Sequence, residues 1–380
     1  MDERRVIVAL SGGVDSAVAA LLLRDAGHDV QCLHMTNWED DGYCDAARDF
    51  QDARAVCLAL GVPLHRVNFA REYREHVFAH FLAEHRAGRT PNPDVLCNRE
   101  IKFGAMRRYA ERLGADLIAT GHYARLLPDS TGHTRLLKAR DASKDQSYFL
   151  HAVDPADFAR VVLPLGDLTK PEVREIARRA GLPVAAKKDS TGICFIGERP
   201  FKEFLATYVP PAPGALVAED GRELGRHQGL AYYTLGQRGG IGLGGLPGAA
   251  EAPWYVAAKD PARNELLVVQ GHDHPRLYRD SLAATGMHWV GAAPPGWPER
   301  GPLRCTAKVR YRQPDQECTV LPGGRDEIEV IFDRPQRTPA PGQYVVLYDG
   351  DVCFGGATIK RTWNRARALA ARGEALRAAV

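Results

Sequence analysis

One glycine turn and two cysteines are the stretches of this sequence whose residue types could do chemistry. The turn is Ser11-Gly12-Gly13-Val14-Asp15-Ser16. It follows the apolar run Val6-Ile7-Val8-Ala9-Leu10, read as a buried parallel strand. It opens an Ala/Leu-rich helix running from Ser16 to Asp25 and closed by Gly27. The first N–H groups of a helix lack intrahelical partners and its dipole favours negative charge, so this arrangement suits an anion. Gly12 and Gly13 let the backbone approach a phosphate closely. The turn is neither G-x-x-x-x-G-K-[ST], since it has no lysine, nor G-x-G-x-x-G. On spacing alone, an ordinary strand-to-helix turn with Ser11 or Asp15 near the cap stays open.

Cys97 and Cys194 are the candidate thiols. Both stand in loop-like stretches poor in apolar residues, Arg89 to Phe103 and Lys187 to Arg199. The thiolate is the attacking form, and cations favour it. Arg99 and Lys102 follow Cys97, and Lys187 and Lys188 precede Cys194. Asp94, three residues before Cys97, is a candidate proton donor or acceptor. The structural alternatives are two buried cysteines and a turn-forming Asp after proline. The other six cysteines, Cys32, Cys44, Cys57, Cys305, Cys318 and Cys353, are scattered. With no C-x-x-C, they describe neither a disulfide scaffold nor a zinc ribbon.

The elements that must hold these residues alternate βαβαβαβ from Val6 to Tyr123, which predicts a doubly wound parallel sheet. Ligands of such sheets bind at the C-terminal edge of the strands. Pro91 and Pro93 forbid a helix up to Asp94, so a helix is predicted from near Cys97 to Leu113, with Asp94 and Cys97 in a loop or first turn. Composition changes at Pro210-Pro211-Ala212-Pro213-Gly214, and short β-runs cut by glycines continue to Gly271. A second change falls near His274-Pro275. Short alternating strands from Ser281 to Ile359 are spaced like a small barrel or sandwich. The expected organisation is a catalytic α/β domain at 1–209, a small β-rich domain at 210–275, and a β-barrel at 276–362. A tail at 363–380 is expected to be helical or disordered.

The 380 residues suit two or three domains. A hydrophobic fraction of 45% and a charged fraction of 26% are those of a soluble globular protein. The net charge of +3 admits a nucleic-acid partner only if the positive charge is clustered. The 40 Arg against 10 Lys suit phosphate contacts, but a GC-rich genome gives the same bias. The start Met1-Asp2-Glu3-Arg4-Arg5 runs straight into the first strand, and no run approaches the roughly 18 apolar residues of a membrane span. A cytoplasmic monomer with no membrane partner is expected.

S-G-G-V-D-S resembles the pyrophosphate loop of the ATP pyrophosphatase (PP-loop) superfamily, some members of which carry a second Ser where this chain has Ala17. The loops T-P-N-P-D-V-L-C-N, A-T-G-H-Y, K-D-Q-S-Y-F-L, D-S-T-G-I-C-F-I-G-E-R, Y-T-L-G-Q-R and V-R-Y-R-Q then follow in the order of the bacterial tRNA-specific 2-thiouridylase family. The resemblance spans residues 4 to 360 and implies a PP-loop, adenine nucleotide alpha hydrolase-like fold.

It further implies ATP-dependent replacement of the C2 oxygen of a wobble uridine by sulfur, in tRNA for Lys, Glu and Gln. ATP-binding falls to Ala9, Leu10, Ser11, Gly12, Gly13, Val14, Asp15 and Ser16, with Met35 and Gly121 bordering adenine and ribose, and Asp15 could orient Mg2+. Cys194 would carry a persulfide, Cys97 would be the nucleophile that releases the sulfur, and a Cys97–Cys194 disulfide would result. Asn92, Pro93 and Asp94 would meet the target base. His122, Lys144, Asp145, Gln146, Arg310, Tyr311 and Gln343 would contact tRNA, with Arg312 a second guanidinium beside the Tyr311 ring. A persulfide relay protein or cysteine desulfurase is the implied sulfur source. An iron–sulfur cluster on Asp94, Cys97 and Cys194 is left open, with three ligands and no C-x-x-C spacing. The rival reading is another PP-loop adenylating enzyme, of the 4-thiouridine synthetase or amidotransferase type. A non-catalytic RNA-binding module that senses ATP is the second.

Overall fold

The apolar run after Arg4 forms strand β1 (Arg5–Ala9) at the centre of a five-stranded parallel sheet. A computed structural model describes residues 3–39, 46–129, 132–189, 200–244, 252–324 and 326–365. Val6, Ile7 and Val8 are fully buried, each worth roughly 1.5–3 kcal/mol. Around β1 stand β2 (Asp29–Thr36), β3 (Leu64–Asn68), β4 (Leu117–Ala119) and β7 (Val161–Val162), in the order β3-β2-β1-β4-β7. The strand order reverses between β1 and β4, so the crevice for a ligand lies beyond the C-terminal ends of those two strands.

Among the described residues, five longer helices surround this sheet. Helix α1 (Val14–Asp25) buries Ala17, Ala19 and Ala20, small residues that let it lie close to the sheet. Helix α2 (Ala46–Leu60) follows β2, and α3 occupies 70–86. Helix α4 occupies 93–112, where the sequence predicts a start near Cys97; the first turn is one turn earlier. The reason is local. Asn92 accepts from the Asp94 N–H at 3.2 Å, and Pro93 at the first position loses only an N–H that would be unpaired anyway. From Cys97 to Met106 the helix widens into π turns. Helix α5 (Lys170–Arg179) is closed at its start by a Thr169/Glu172 capping box.

The second sheet joins β8 (Gly214–Val217), β9 (Glu223–His227), β10 (Trp254–Asp260) and β11 (Glu265–Gln270), in the order β10-β11-β8-β9. The third is a closed barrel of β12 (Tyr278–Trp289), β15 (Glu327–Arg337), β14 (Gln316–Pro322), β13 (Leu303–Lys308), β16 (Tyr344–Asp349) and β17 (Val352–Trp363), with β12 pairing β17. The architecture is the expected parallel sheet followed by two β-rich units, the last a barrel.

Two pieces escape a reading by periodicity. The hairpin β5 (Ala124–Pro128) and β6 (Thr134–Lys138) leaves the first sheet and pairs with β17 of the barrel. Strand β12 is the longest of the barrel with β17, yet Ser281-Leu282-Ala283-Ala284 is buried on both faces and so lacks alternation. Of the tail expected at 363–380, Trp363 still belongs to β17, and residues 366–380, like the whole 190–199 segment with Cys194, lie outside the described residues.

Candidate active site

The pyrophosphate-type turn sits where the sheet order reverses. Gly13 caps α1 in extended backbone, and the Ser16 hydroxyl donates to the Gly13 carbonyl at 3.1 Å while accepting from the Ser11 N–H at 3.2 Å. The turn is thus held by its own two serines. Gly12 has φ +80°, and a Cβ there would strike the Asp49 carbonyl of α2. Across the crevice, a Cβ on Gly121 would lie 2.7 Å from Ser16 N and 2.8 Å from the Asp15 carbonyl carbon. Gly121 therefore lets the loop after β4 touch the N-terminus of α1, which joins two stretches far apart in sequence into one wall.

A cavity of 680 Å³ opens at this wall, within the range of small-molecule sites. From the predicted nucleotide set it is lined by Ala9, Ser11, Gly13, Val14, Asp15, Ser16, Met35 and Gly121; Leu10 and Gly12 stand behind. Asp94, His122, Lys144, Gln146 and Tyr311 line it as well. Phe149 and Tyr311 form an aromatic pair at its edge, ring centroids 4.4 Å apart, a surface on which a base can stack. Arg312, also lining the cavity, has its guanidinium 5.8 Å from the Tyr311 ring.

Ion pairs fix the floor. Asp15 accepts from Lys170 Nζ at 2.7 and 2.8 Å and from the Tyr123 hydroxyl at 2.8 Å. Asp189 takes Lys144, Lys170 and Arg174 at 2.7, 2.8 and 2.7 Å. Burial would raise the Asp189 carboxyl, but hydrogen bonds and charge from Lys144 and Lys170 prevail and hold it at about 2. Lys187 binds Asp49, Asp52 and the Gly12 carbonyl, which ties the strand of chain entering 190–199 to the back of the turn. Asp15, the residue expected to orient Mg2+, is paired with Lys170 and Tyr123 in this structure. Among the described residues no group of three His, Cys, Asp or Glu is placed to hold a metal ion.

Asp94 stands in the first turn of α4, open to the cavity yet enclosed by its walls; burial raises its carboxyl, with Lys102 opposing. Asn92 caps that turn and Pro93 is buried in it. Cys97, one turn on, is 6% exposed among Leu96, Ile101 and Trp38. Arg99 pairs with Glu100 at 2.7 Å, and Lys102 points at His122. His122 is buried; its Nδ1 meets Thr120 Oγ1 at 2.7 Å and its Nε2 meets Lys102 Nζ at 3.3 Å.

Four predicted contact residues are engaged within the protein, Gln146 at the cavity and the other three away from its lining. Asp145 is 5% exposed and accepts from the Ala139 N–H and the Ser147 N–H and hydroxyl. Gln146 accepts from the Tyr123 N–H at 2.9 Å. Arg310 donates to the Thr338 carbonyl at 2.9 Å, and Gln343 donates to the Thr90 carbonyl at 2.7 Å. Sequence reading missed Thr120, Tyr123, Phe149, Lys170, Lys188 and Asp189 as cavity or floor residues. Asp189 and Phe149 stand inside motifs already singled out, D-S-T-G and K-D-Q-S-Y-F-L. Lys170 carries no local signal, being 155 positions from Asp15.

Three family models match consecutive parts of the chain. They are a tRNA methyl transferase HUP domain at 4–198, a tRNA methyl transferase PRC-barrel domain at 202–270 and an aminomethyltransferase beta-barrel domain at 279–359. Named relatives are tRNA-specific 2-thiouridylases MnmA. That of Alcanivorax borkumensis is 57% identical over 363 residues, 95% of this chain and 98% of its own length. That of Methylococcus capsulatus is 58% identical over 362 residues, 94% of this chain and 97% of its own length. A solved 4-thiouridine synthetase–RNA complex with bound ATP is 20% identical over 55% of this chain and 50% of its own, with a TM-score of 0.35, too low to weigh.

Proposed function

The chain belongs to the tRNA-specific 2-thiouridylase family, and on that premise we propose that it thiolates the wobble uridine of tRNA for Lys, Glu and Gln at C2, using ATP. It is a tRNA sulfurtransferase of the PP-loop type. The observation that supports the chemistry is that the anion-binding start of α1 and the acid Asp94 line one cavity.

The urea-like C2 oxygen is a poor leaving group. In this reading the uracil O2 attacks the α-phosphorus of ATP as the N3 proton passes to Asp94. The bond to the β-phosphate breaks, and pyrophosphate leaves against the N–H groups of Gly12 to Ser16. Met35 and Gly121 border the adenosine, and Asn92 and Pro93 shape the pocket for a flipped base. Sulfur then adds to C2 and AMP departs. The sulfur comes from a persulfide on Cys194: the Cys97 thiolate attacks the Cys194 sulfur, the S–S bond breaks, sulfide is released, and a Cys97–Cys194 disulfide remains to be reduced. A persulfide relay protein or cysteine desulfurase reloads Cys194. Magnesium, when bound, would serve as the counter-ion of the nucleotide phosphates.

The test incubates the protein with ATP, magnesium, a persulfide donor and unmodified tRNA, with 2-thiouridine measured by nucleoside mass spectrometry. Cys97→Ser and Cys194→Ser should each abolish product, and AMP with pyrophosphate should accompany it. Thiolation surviving either substitution rejects the two-thiol mechanism, and ADP with phosphate rejects the adenylation.

A further inference from the structure

We propose that Lys102 is a catalytic residue of this site, and that His122 acts through it as a positioning residue. The inference rests on the adenylation reading above. Lys102 lines the cavity with Asp94 and the start of α1. Among the described residues no carboxylate forms an ion pair with it, in contrast to Lys144, which is held by Asp189 at 2.7 Å, and Lys170, held by Asp15 at 2.7 Å. An ammonium group presented to a cavity without a carboxylate partner is placed to meet the charge of a ligand.

Two features of the fold put it there. The first is the π-helical widening of α4. At 3.6 residues per turn, the eight-residue step from Asp94 to Lys102 would leave the two side chains roughly 80° out of register. Wider turns take more residues per revolution, and the stretch from Cys97 to Met106 is wound that way. Both residues consequently reach one cavity, close enough for the Lys102 charge to act on the Asp94 carboxyl. The second is His122. Burial, with the Lys102 charge next, keeps the imidazole neutral. The Lys102 ammonium can only donate, so the Nε2 lone pair accepts from Nζ at 3.3 Å, which puts the ring proton on Nδ1, 2.7 Å from Thr120 Oγ1. A neutral, buried acceptor orients the ammonium without cancelling its charge.

The step that needs this charge is the attack of O2 on the α-phosphorus. The N3 proton goes to Asp94, and negative charge spreads over the pyrimidine oxygens and the α-phosphoryl group until pyrophosphate leaves. A fixed ammonium stabilises that distribution more than the neutral ground-state base.

The experiment measures tRNA-dependent AMP formation from ATP, tRNA affinity, ATP affinity and thermal stability in the full chain. Lys102→Met should lower the adenylation rate about 10²-fold with tRNA and ATP affinities retained, since one preorganised donor is removed. Lys102→Arg, which keeps the charge, should recover part of it. His122→Ala should lower kcat by up to about 10²-fold at unchanged KM for tRNA. His122→Gln, whose amide oxygen can accept from Lys102, should restore most of the rate. Adenylation at the wild-type rate in a folded Lys102→Met protein overturns the proposal. So does a His122→Ala protein whose tRNA affinity falls while kcat holds. Wild-type protein that makes no AMP with tRNA rejects the adenylation reading itself, and is seen without any variant.

Discussion

At the scale of single residues, the site depends on atoms that are absent as much as on those present. Gly121 has no side chain, and only so can the loop after β4 touch Ser16 N and the Asp15 carbonyl carbon. Gly121→Ala should displace the start of α1 and weaken ATP binding about tenfold or more, for loss of even one charge-assisted hydrogen bond; calorimetric titration with ATP checks it. Asp94 gives a pH signature. Burial lifts its carboxyl and Lys102 pulls it down. The acid limb of the thiolation profile should therefore lie above the usual carboxylate range, shift further up in Lys102→Met, and disappear in Asp94→Asn. Asp189 gives a stability signature of the opposite sign. Its carboxyl is held at about 2, below the roughly 3.9 of an unfolded chain. Its contribution is complete above that unfolded value and is lost as pH falls through about 2. Denaturant titrations of Asp189→Asn should show a shallower loss of stability across that window.

At the scale of elements, α4 matters most. The sequence predicts its start one turn late, since prolines generally break helices, whereas Pro93 at the first helical position is compatible with the helix and Asn92 caps it. Its π turns were not legible at all, since apolar spacing reports which face is buried and not how tightly the backbone is wound. Gly104 supports that winding: a Cβ there would lie 2.9 Å from the Arg99 carbonyl oxygen, five residues back. Gly104→Ala should cost about 1–3 kcal/mol by overpacking. It should also slow adenylation, because Lys102 turns away from Asp94; melting temperature and AMP release read the two effects separately. The hairpin β5–β6 was missed for a related reason. Its two five-residue runs are short, and what stabilises them is β17, some 200 residues later in the chain.

At the scale of the whole molecule, all three units meet on one residue just before the site. The Thr90 N–H donates to the Pro341 carbonyl at 3.0 Å, its carbonyl accepts from Gln343 Nε2 at 2.7 Å, and its hydroxyl reaches Thr234 Oγ1 at 3.3 Å. Thr90 stands two residues ahead of Asn92, so the barrel unit and the loop between β9 and β10 fix where α4 begins. Gln343, expected to touch tRNA, serves this junction. Gln343→Ala should lower stability by about 1 kcal/mol for a lost hydrogen bond. It should also lower kcat for thiolation more than tRNA affinity, measured by steady-state kinetics and filter binding.

The sequence alone determined the strand–turn–helix of the anion site and the parallel sheet, and it narrowed the C-terminal strands to a small barrel or sandwich. Those follow from short-range chemistry: glycine conformations, helix ends and apolar period. Tertiary structure alone decided that Lys170 lies on Asp15 across 155 positions and that Gln343 lies on Thr90 across 253. It also decided that Lys102 faces the cavity. An ion pair or a shared wall is set by which elements pack together, and packing depends on the whole buried surface at once. A local stretch therefore specifies the kind of group it offers, and the fold specifies what that group meets.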